Sequence, residues 1–298
     1  MAKGSHLRRA GTDRRPLLLV FVDGLGIGSH DPAVNPLCRR GCENLQRLES
    51  DFAVAVDACL GVPGLPQSAT GQTALLTGVN APRVMGRHVE GFPGPELRDI
   101  IRAHNIFAQL AARDLSSTFA NGYFVFDAEA VQQARVQSVT TVATLAAFGT
   151  VRDGAALDRD EAVYQDLTRE SLVSRGYQGR FVTPLESARH LQAIAAAHDF
   201  TLFEYFQTDR AGHSRDFARA AVVLQRLDAF MGELTAAAEE GAFTLVMTSD
   251  HGNIEDMRTQ RHTRNPVPFA VVGQGARKLQ TGVQDLTGIV PSLLRHFG

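Results

Sequence analysis

A chain of 298 residues, 44% of them hydrophobic and 21% charged, has the composition of an ordinary globular protein with enough chain to bury a large core, so disorder is not the default reading. The formal charge of -2 supplies no global field to gather nucleic acid or an anionic membrane, so any anion must be held locally.

The first 16 residues, MAKGSHLRRAGTDRRP, are basic and lack the apolar centre of a signal peptide; a disordered tail is expected. Leu17–Val22 is an apolar run far shorter than the ~20 residues that cross a bilayer, and reads as a buried strand. Phe52–Val56, Thr201–Phe206, Phe243–Thr248 and Phe269–Val272 read as further strands. Asp216–Glu240 carries a helical repeat through Val222, Val223, Leu227, Phe230 and Leu234, stopped by Gly241. A last helix is expected from Asp285 to about Phe297, with Pro291 as an irregularity within it.

Strands alternating with helices predict an α/β fold, a parallel sheet with helices on both faces. Between Pro82 and Pro184 the pattern changes to short pieces punctuated by Gly and Pro, including GFPGP at Gly91–Pro95. The expected organisation is a core of 17–81 and 185–298 with 82–184 inserted as a small cap that covers the site and selects substrate. Cys38, Cys42 and Cys59 form an odd set with no secretory signal ahead of them, which points to reduced thiols and a cytoplasmic location. No segment reads as transmembrane.

Three strands end alike: LLLVFVD places Asp23, TLFEYFQTD places Asp209 and FTLVMTSD places Asp250 at the strand's final residue or just beyond, the edge where ligands gather in parallel sheets. Histidines follow at Asp209-x3-His213, at Asp250-His251, and at His262 in RHTRNPVPF. Carboxylates neutralise a dication and imidazoles add neutral nitrogen ligands. Six such groups exceed what one ion takes from protein, so two ions are expected. A nucleophile belongs beside them, and GLPQSATGQTALLTG offers Ser68 and Thr70 in a loop opening a helix, where backbone N–H groups favour a phosphate.

VDGLGIG, SATGQ, DRAGHSRD, TSDHGN and RHTRNPVPF together resemble the alkaline phosphatase superfamily, most closely its cofactor-independent phosphoglycerate mutase and phosphopentomutase branch. The resemblance implies an alkaline-phosphatase-like core and Ser68 as nucleophile, with Thr70 as second choice. It implies that Asp23, Ser68, Asp250 and His251 hold one ion and that Asp209, His213 and His262 hold the other. It also implies manganese or zinc; independently, three imidazoles disfavour magnesium, which prefers oxygen ligands.

The expected function is phosphoryl transfer on a small phosphorylated metabolite through a phosphoserine, as a phosphomutase or a phosphomonoester hydrolase. The alternatives are a phosphodiesterase or nucleotide pyrophosphatase with the same core, and a non-catalytic metal-binding protein. Gln72 stands where the mutases commonly have a histidine, which removes a phosphate or proton partner. The chain is also shorter than those mutases, so their large substrate-binding insertion cannot be present in full. Arg83, Arg87 and His88, with Arg152 and Arg180, are the cap cations available for a second anionic group of the substrate. VYQDLTR at Val163–Arg169 resembles a phosphoglycerate mutase segment but falls late in the insertion, and reads as an amphipathic helix.

Overall fold

The computed structural model describes residues 15–124 and 128–298, so the expected tail lies almost wholly outside the described residues. The strands are β1 (Leu17–Val22), β2 (Ala53–Val56), β3 (Ser117–Phe119), β4 (Phe200–Tyr205), β5 (Thr244–Thr248) and β6 (Val267–Val272). They form one sheet in the order β2-β6-β5-β1-β4-β3. The helices, in chain order, are α1 (Glu43–Phe52), α2 (Ser68–Thr77), α3 (Ala81–Met85), α4 (Pro95–His104), α5 (Ile106–Ala111), α6 (Ala128–Gln133) and α7 (Val139–Phe148). They continue with α8 (Gly154–Asp158), α9 (Pro184–Ala196), α10 (Gln207–Ser214), α11 (Phe217–Glu239), α12 (Ala276–Gln280) and α13 (Ile289–His296).

Every residue of β1 is buried, because β1 is central in the sheet and covered on both faces; this is why its sequence is continuously apolar rather than alternating. Leu17, Leu19 and Phe21 belong to the apolar cluster on one face, with Leu75, Ile101, Phe107, Val142 and Leu293 of the helices. Leu18, Val20 and Val22 belong to the cluster on the other, with Leu45, Leu191, Leu227 and Phe230. The period-2 geometry of a strand divides the run between the two layers.

Helix α11 begins one residue after the expected start because Asp216 is its cap, the carboxylate accepting from the N–H groups of Ala218 and Arg219. It ends where Gly241 turns at φ 89°, its N–H reaching the Ala238 carbonyl. Pro291 causes no break, since it lies in the first turn of α13, where its missing N–H is not needed.

Two expectations change. The sheet is not wholly parallel: β1 runs parallel to β4 and β5, and β3 to β4, but β6 is antiparallel to both β5 and β2. Nor does 82–184 stand apart as a unit. It supplies the edge strand β3, and α4, α5 and α7 place Ile101, Ile106, Phe107, Val139 and Val142 in the main core. A small cluster confined to the segment forms around Leu157, Tyr164, Leu172 and Tyr177, with Phe124 edge-on to Tyr177. VYQDLTR is not a helix; Asp166 folds it into a turn by accepting from the N–H groups of Thr168, Arg169 and Ser171.

Candidate metal centre

β1, β4 and β5 point their carboxyl ends at one rim, where Asp23, Asp209 and Asp250 follow them. The reversal of β6 brings the fourth contribution. Because β5 and β6 are antiparallel, the connection from Thr248 to Val267 starts and ends on that same rim, and His262 lies within it. Ser68 is the first residue of α2.

These side chains meet in two groups. In the first, His251 Nε2 lies 2.9 Å from Ser68 Oγ, 3.4 Å from Asp23 Oδ1 and 3.4 Å from Asp250 Oδ2. In the second, Asp209 lies 3.3 Å from His213 Nε2 through Oδ2 and 3.5 Å from His262 Nε2 through Oδ1, and the two imidazole nitrogens are 3.2 Å apart. His251 borders both groups, its ring stacked on that of His262 at 3.7 Å.

The donor set fits two cations. Ligands on one tetrahedral ion with bonds of ~2.1 Å stand ~3.4 Å apart, the separation seen here. Asp23 Oδ1 and Asp250 Oδ2 are buried without a hydrogen-bond partner among the described residues, an arrangement that carboxylates tolerate only with a countercharge. Burial, with the charges of Asp250 and Asp209, raises Asp23 well above the usual carboxylate range. Burial and the Asp209 charge push Asp250 up to about 7. Burial also drives His251 down to about 3, keeping its ring neutral and able to donate a lone pair. Burial would raise Asp209 too, but hydrogen bonds from His213 and His262 outweigh it and hold this carboxyl below its ordinary value. His213 is raised in turn, chiefly by the same hydrogen bond to Asp209.

Backbone carbonyls orient two of the rings. His262 Nδ1 donates to the Pro66 carbonyl at 2.8 Å and His213 Nδ1 to that of Gln260 at 2.7 Å, so each ring turns its Nε2 to the centre, where it donates to Asp209 when the ring is protonated and offers a lone pair to a cation when the ring is neutral.

Several supporting residues escaped the sequence reading. Gln72 does not merely lack a histidine's chemistry: its amide donates to Asp23 Oδ2 at 3.1 Å. Asn253 donates to Asp209 Oδ1 at 2.6 Å. The Thr208 hydroxyl donates to the Asp23 carbonyl, and Ser249 Oγ accepts from the Leu25 N–H while donating to the His251 carbonyl. The buried Glu255 carboxylate gathers the N–H groups of Gly26 and Asn253, the Thr263 hydroxyl and the Asn265 amide, tying the loops after β1 and β5 together. Asn253 and Glu255 lie beside TSDHG, the one sequence signal that could have found them. Glu204 of β4 is a further buried acid, pushed to about 7 by burial, with the Thr140 hydroxyl donating to it at 2.6 Å. Its place in an apolar strand gave no cue.

Thr70 is committed elsewhere: its hydroxyl donates to the Gln67 carbonyl and accepts from the Val89 N–H. A cavity of about 390 Å³ opens beside the centre, lined by Leu65, Gln67, Glu90, His213, Gln260, Arg261 and His262. Arg83, Arg87 and His88 do not line it, whereas Glu90 from the same loop does. His88 faces the Val62 carbonyl. Arg152 is spent on Phe119, Glu161 and Thr118, and Arg180 pairs with Asp160 and Glu186.

Two glycines let the loops close. A Cβ on Gly71 would stand 2.9 Å from the Asp250 carbonyl oxygen, so α2 can approach the end of β5 only without a side chain there. Gly24 adopts φ 73°, and a Cβ would stand 2.9 Å from Asp209 Cα and Cβ. Gly24→Ala is therefore expected to cost about 2–4 kcal/mol, backbone strain plus a clash at a ligand-bearing helix. Urea denaturation with and without metal checks this; an unchanged midpoint in both conditions contradicts the reading.

Comparison with known proteins places these features in a family. A 2,3-bisphosphoglycerate-independent phosphoglycerate mutase of Natronomonas pharaonis is 35% identical over 112 residues, 35% of this chain and 22% of that protein. The chain spans only 21% to 29% of the length of the curated relatives it matches. Among solved structures, the PH0037 protein from Pyrococcus horikoshii shares the fold with a TM-score of 0.56 at 16% identity, covering 95% of this chain and 96% of that one. A cold-active alkaline phosphatase from Shewanella sp. does so at 0.53 and 12%, covering 95% and 100%. The resemblance read from the motifs is borne out. The Metalloenzyme superfamily model matches residues 15–298, and the chain belongs to that family.

Proposed function

We propose that this protein is a dimetal phosphoryl-transfer enzyme acting on a small phosphorylated metabolite through a phosphoserine at Ser68, as a phosphomutase or a phosphomonoester hydrolase. The observation that carries the reading is a serine hydroxyl at the start of α2, 2.9 Å from His251 Nε2 and beside two Asp/His groups whose spacing suits two cations. Asp23, Ser68, Asp250 and His251 would hold one ion, and Asp209, His213 and His262 the other. When bound, manganese or zinc supplies Lewis acidity, lowering the pKa of the serine hydroxyl and neutralising charge on the phosphoryl oxygens.

In this reading the chain's own groups do the rest. Ser68 Oγ forms the new bond to phosphorus as its proton passes to solvent, while the ester oxygen departs on the opposite side with its electron pair and takes up a proton. The first N–H groups of α2 face the incoming phosphate. Water then releases phosphate from Ser68, or another hydroxyl of the retained product receives it. Asn253 holds the Asp209 carboxylate and Gln72 that of Asp23 throughout, with Glu255 anchoring the Asn253 backbone. The loop bearing Glu90, pinned to α2 through Val89 and Thr70, takes the covering role first expected of the whole 82–184 segment, and the cavity it borders receives the rest of the substrate. No described helix is long and apolar enough to cross a membrane, and the three cysteines are free, which suits a cytoplasmic metabolite enzyme.

The test combines metal and product analysis. Protein purified without chelator is expected to carry two divalent ions per chain by mass spectrometry. With added manganese it is expected to release phosphate from, or isomerise, members of a panel of phosphorylated sugars and glycerates. Faster turnover of bis-p-nitrophenyl phosphate than of the monoester would favour the phosphodiesterase alternative. Protein that takes up no metal rejects the proposal.

A further inference from the structure

We propose that the edge of the sheet opposite the metal centre carries a second anion site, one that takes a small phosphate-class ligand. Three pieces of chain converge there. Arg15 lies two residues before β1; the reversed β6 delivers Gln274 and, on α12, Lys278; and α13 ends at Arg295 and His296. Together they line a cavity of about 330 Å³ with the buried Leu279 beneath them.

The charge in this cavity is one-sided. Three permanent cations and an imidazole face it, and no Asp or Glu among the described residues lines it. The contacts these side chains make position them without neutralising them. The Arg15 guanidinium lies over Gly241, where an added Cβ would come within 2.8 Å of Nη1, and His296 Nε2 approaches the Arg15 carbonyl at 3.3 Å. Among the described residues, Arg295 Nη2 reaches the Thr281 carbonyl, at 3.4 Å, and no carboxylate. The mutual repulsion is felt within the cluster, for the charge of Lys278 adds to burial in holding His296 below its ordinary value. A chain with a net charge of -2 has thus concentrated uncompensated positive groups in one concave place, where low-dielectric walls focus their field. An anion seated among them would remove the repulsion and gain charge-assisted hydrogen bonds from two guanidinium groups, an ammonium and the Gln274 amide.

The site is separate from the catalytic rim. The six residues of β1 lie between Arg15 and Asp23, a span of ~20 Å at the usual rise of a strand. The volume exceeds what one phosphate fills, so a phosphorylated metabolite fits better than the bare ion.

Titration calorimetry of the intact, metal-loaded protein with inorganic phosphate at low ionic strength tests this. The expected isotherm contains a phosphate equilibrium that survives chelation of the metals and weakens at least tenfold in the Lys278→Ala/Arg295→Ala double variant. Lys278→Gln alone is expected to produce a smaller loss. Arg102→Ala, which removes an exposed arginine paired with Asp99, is expected to change nothing and controls for net charge. The proposal is overturned if chelation abolishes all phosphate uptake, if the double variant binds like the parent, or if Arg102→Ala weakens binding equally.

Discussion

Replacing Ser68 by alanine is expected to lower kcat by about a thousandfold or more on whichever phosphoester the enzyme turns over, the usual scale for deleting a nucleophile. The structural role open to this serine is small. Gln67, not Ser68, caps α2 and makes no side-chain capping bond, so Ser68 is a first-turn helical residue for which alanine is an equal or better helix former. Fold and melting temperature are therefore expected to stay near those of the parent. Thr70→Val is the matched control: its hydroxyl is held by Gln67 and Val89, so its loss should cost stability and leave kcat within a few fold. Retention of more than a tenth of the parent rate by Ser68→Ala, under metal saturation, would sink the assignment.

Metal removal is expected to reverse the pH dependence of stability above pH 4. In the metal-free protein the folded-state pKa of Asp250 is about 7, raised from 3.8, and Asp23 is raised as well. A carboxyl raised by folding contributes stability that is fully present below its unfolded pKa and lost as pH rises through the folded value. Asp23 and Asp250 should therefore weaken the metal-free protein from about pH 4 upward, by up to about 4 kcal/mol from Asp250 if its whole shift is expressed. His251, lowered to about 3, acts in the opposite direction up to about pH 6.5 and offsets one of the two carboxyls, so the net loss is shallower below pH 6.5 than just above it. Asp209 has the opposite sign and a different window: its carboxyl is lowered, so its contribution is present above 3.8 and lost as pH falls below it. Bound dications replace the missing protons, so the loaded protein should hold its stability to pH 8, with a melting temperature that climbs with metal concentration. Thermal melts at pH 5, 6, 7 and 8, with and without chelator, check the prediction. Asp250→Asn should flatten the metal-free curve and respond least to added metal. A metal-free melting temperature that rises from pH 5 to 8 would contradict the arrangement.

Much of this was legible along the chain. Leu17–Val22 announced a central strand because a strand covered on both faces needs apolar residues at every position, and α11 announced itself through its repeat and its stop at Gly241. The metal-type residues were readable because unusual side chains recur at strand ends. What stayed illegible followed from contacts remote in sequence. β3 has three residues, too few for any periodic signal, and is a strand only because β4 offers it an edge. Glu255, Gln72 and Asn253 are ordinary polar residues whose importance lies in what they hold.

By itself the sequence determined the inventory: which strands are buried, which residues are candidates to bear ligand atoms, and which serine opens a helix, all properties of local composition and spacing. The tertiary structure decided the arrangement. In a wholly parallel sheet the residues just before a strand lie at the edge away from Asp23 and Asp250, and His262 would face the wrong side. The antiparallel pairing of β5 with β6 returns it to the rim that bears Asp23 and Asp250, because that pairing alone lets a short connection begin and end at one edge. The same reversal sends Lys278 to the far edge, toward Arg15 and Arg295. Strand direction is set by pairing between distant segments, which no local pattern encodes.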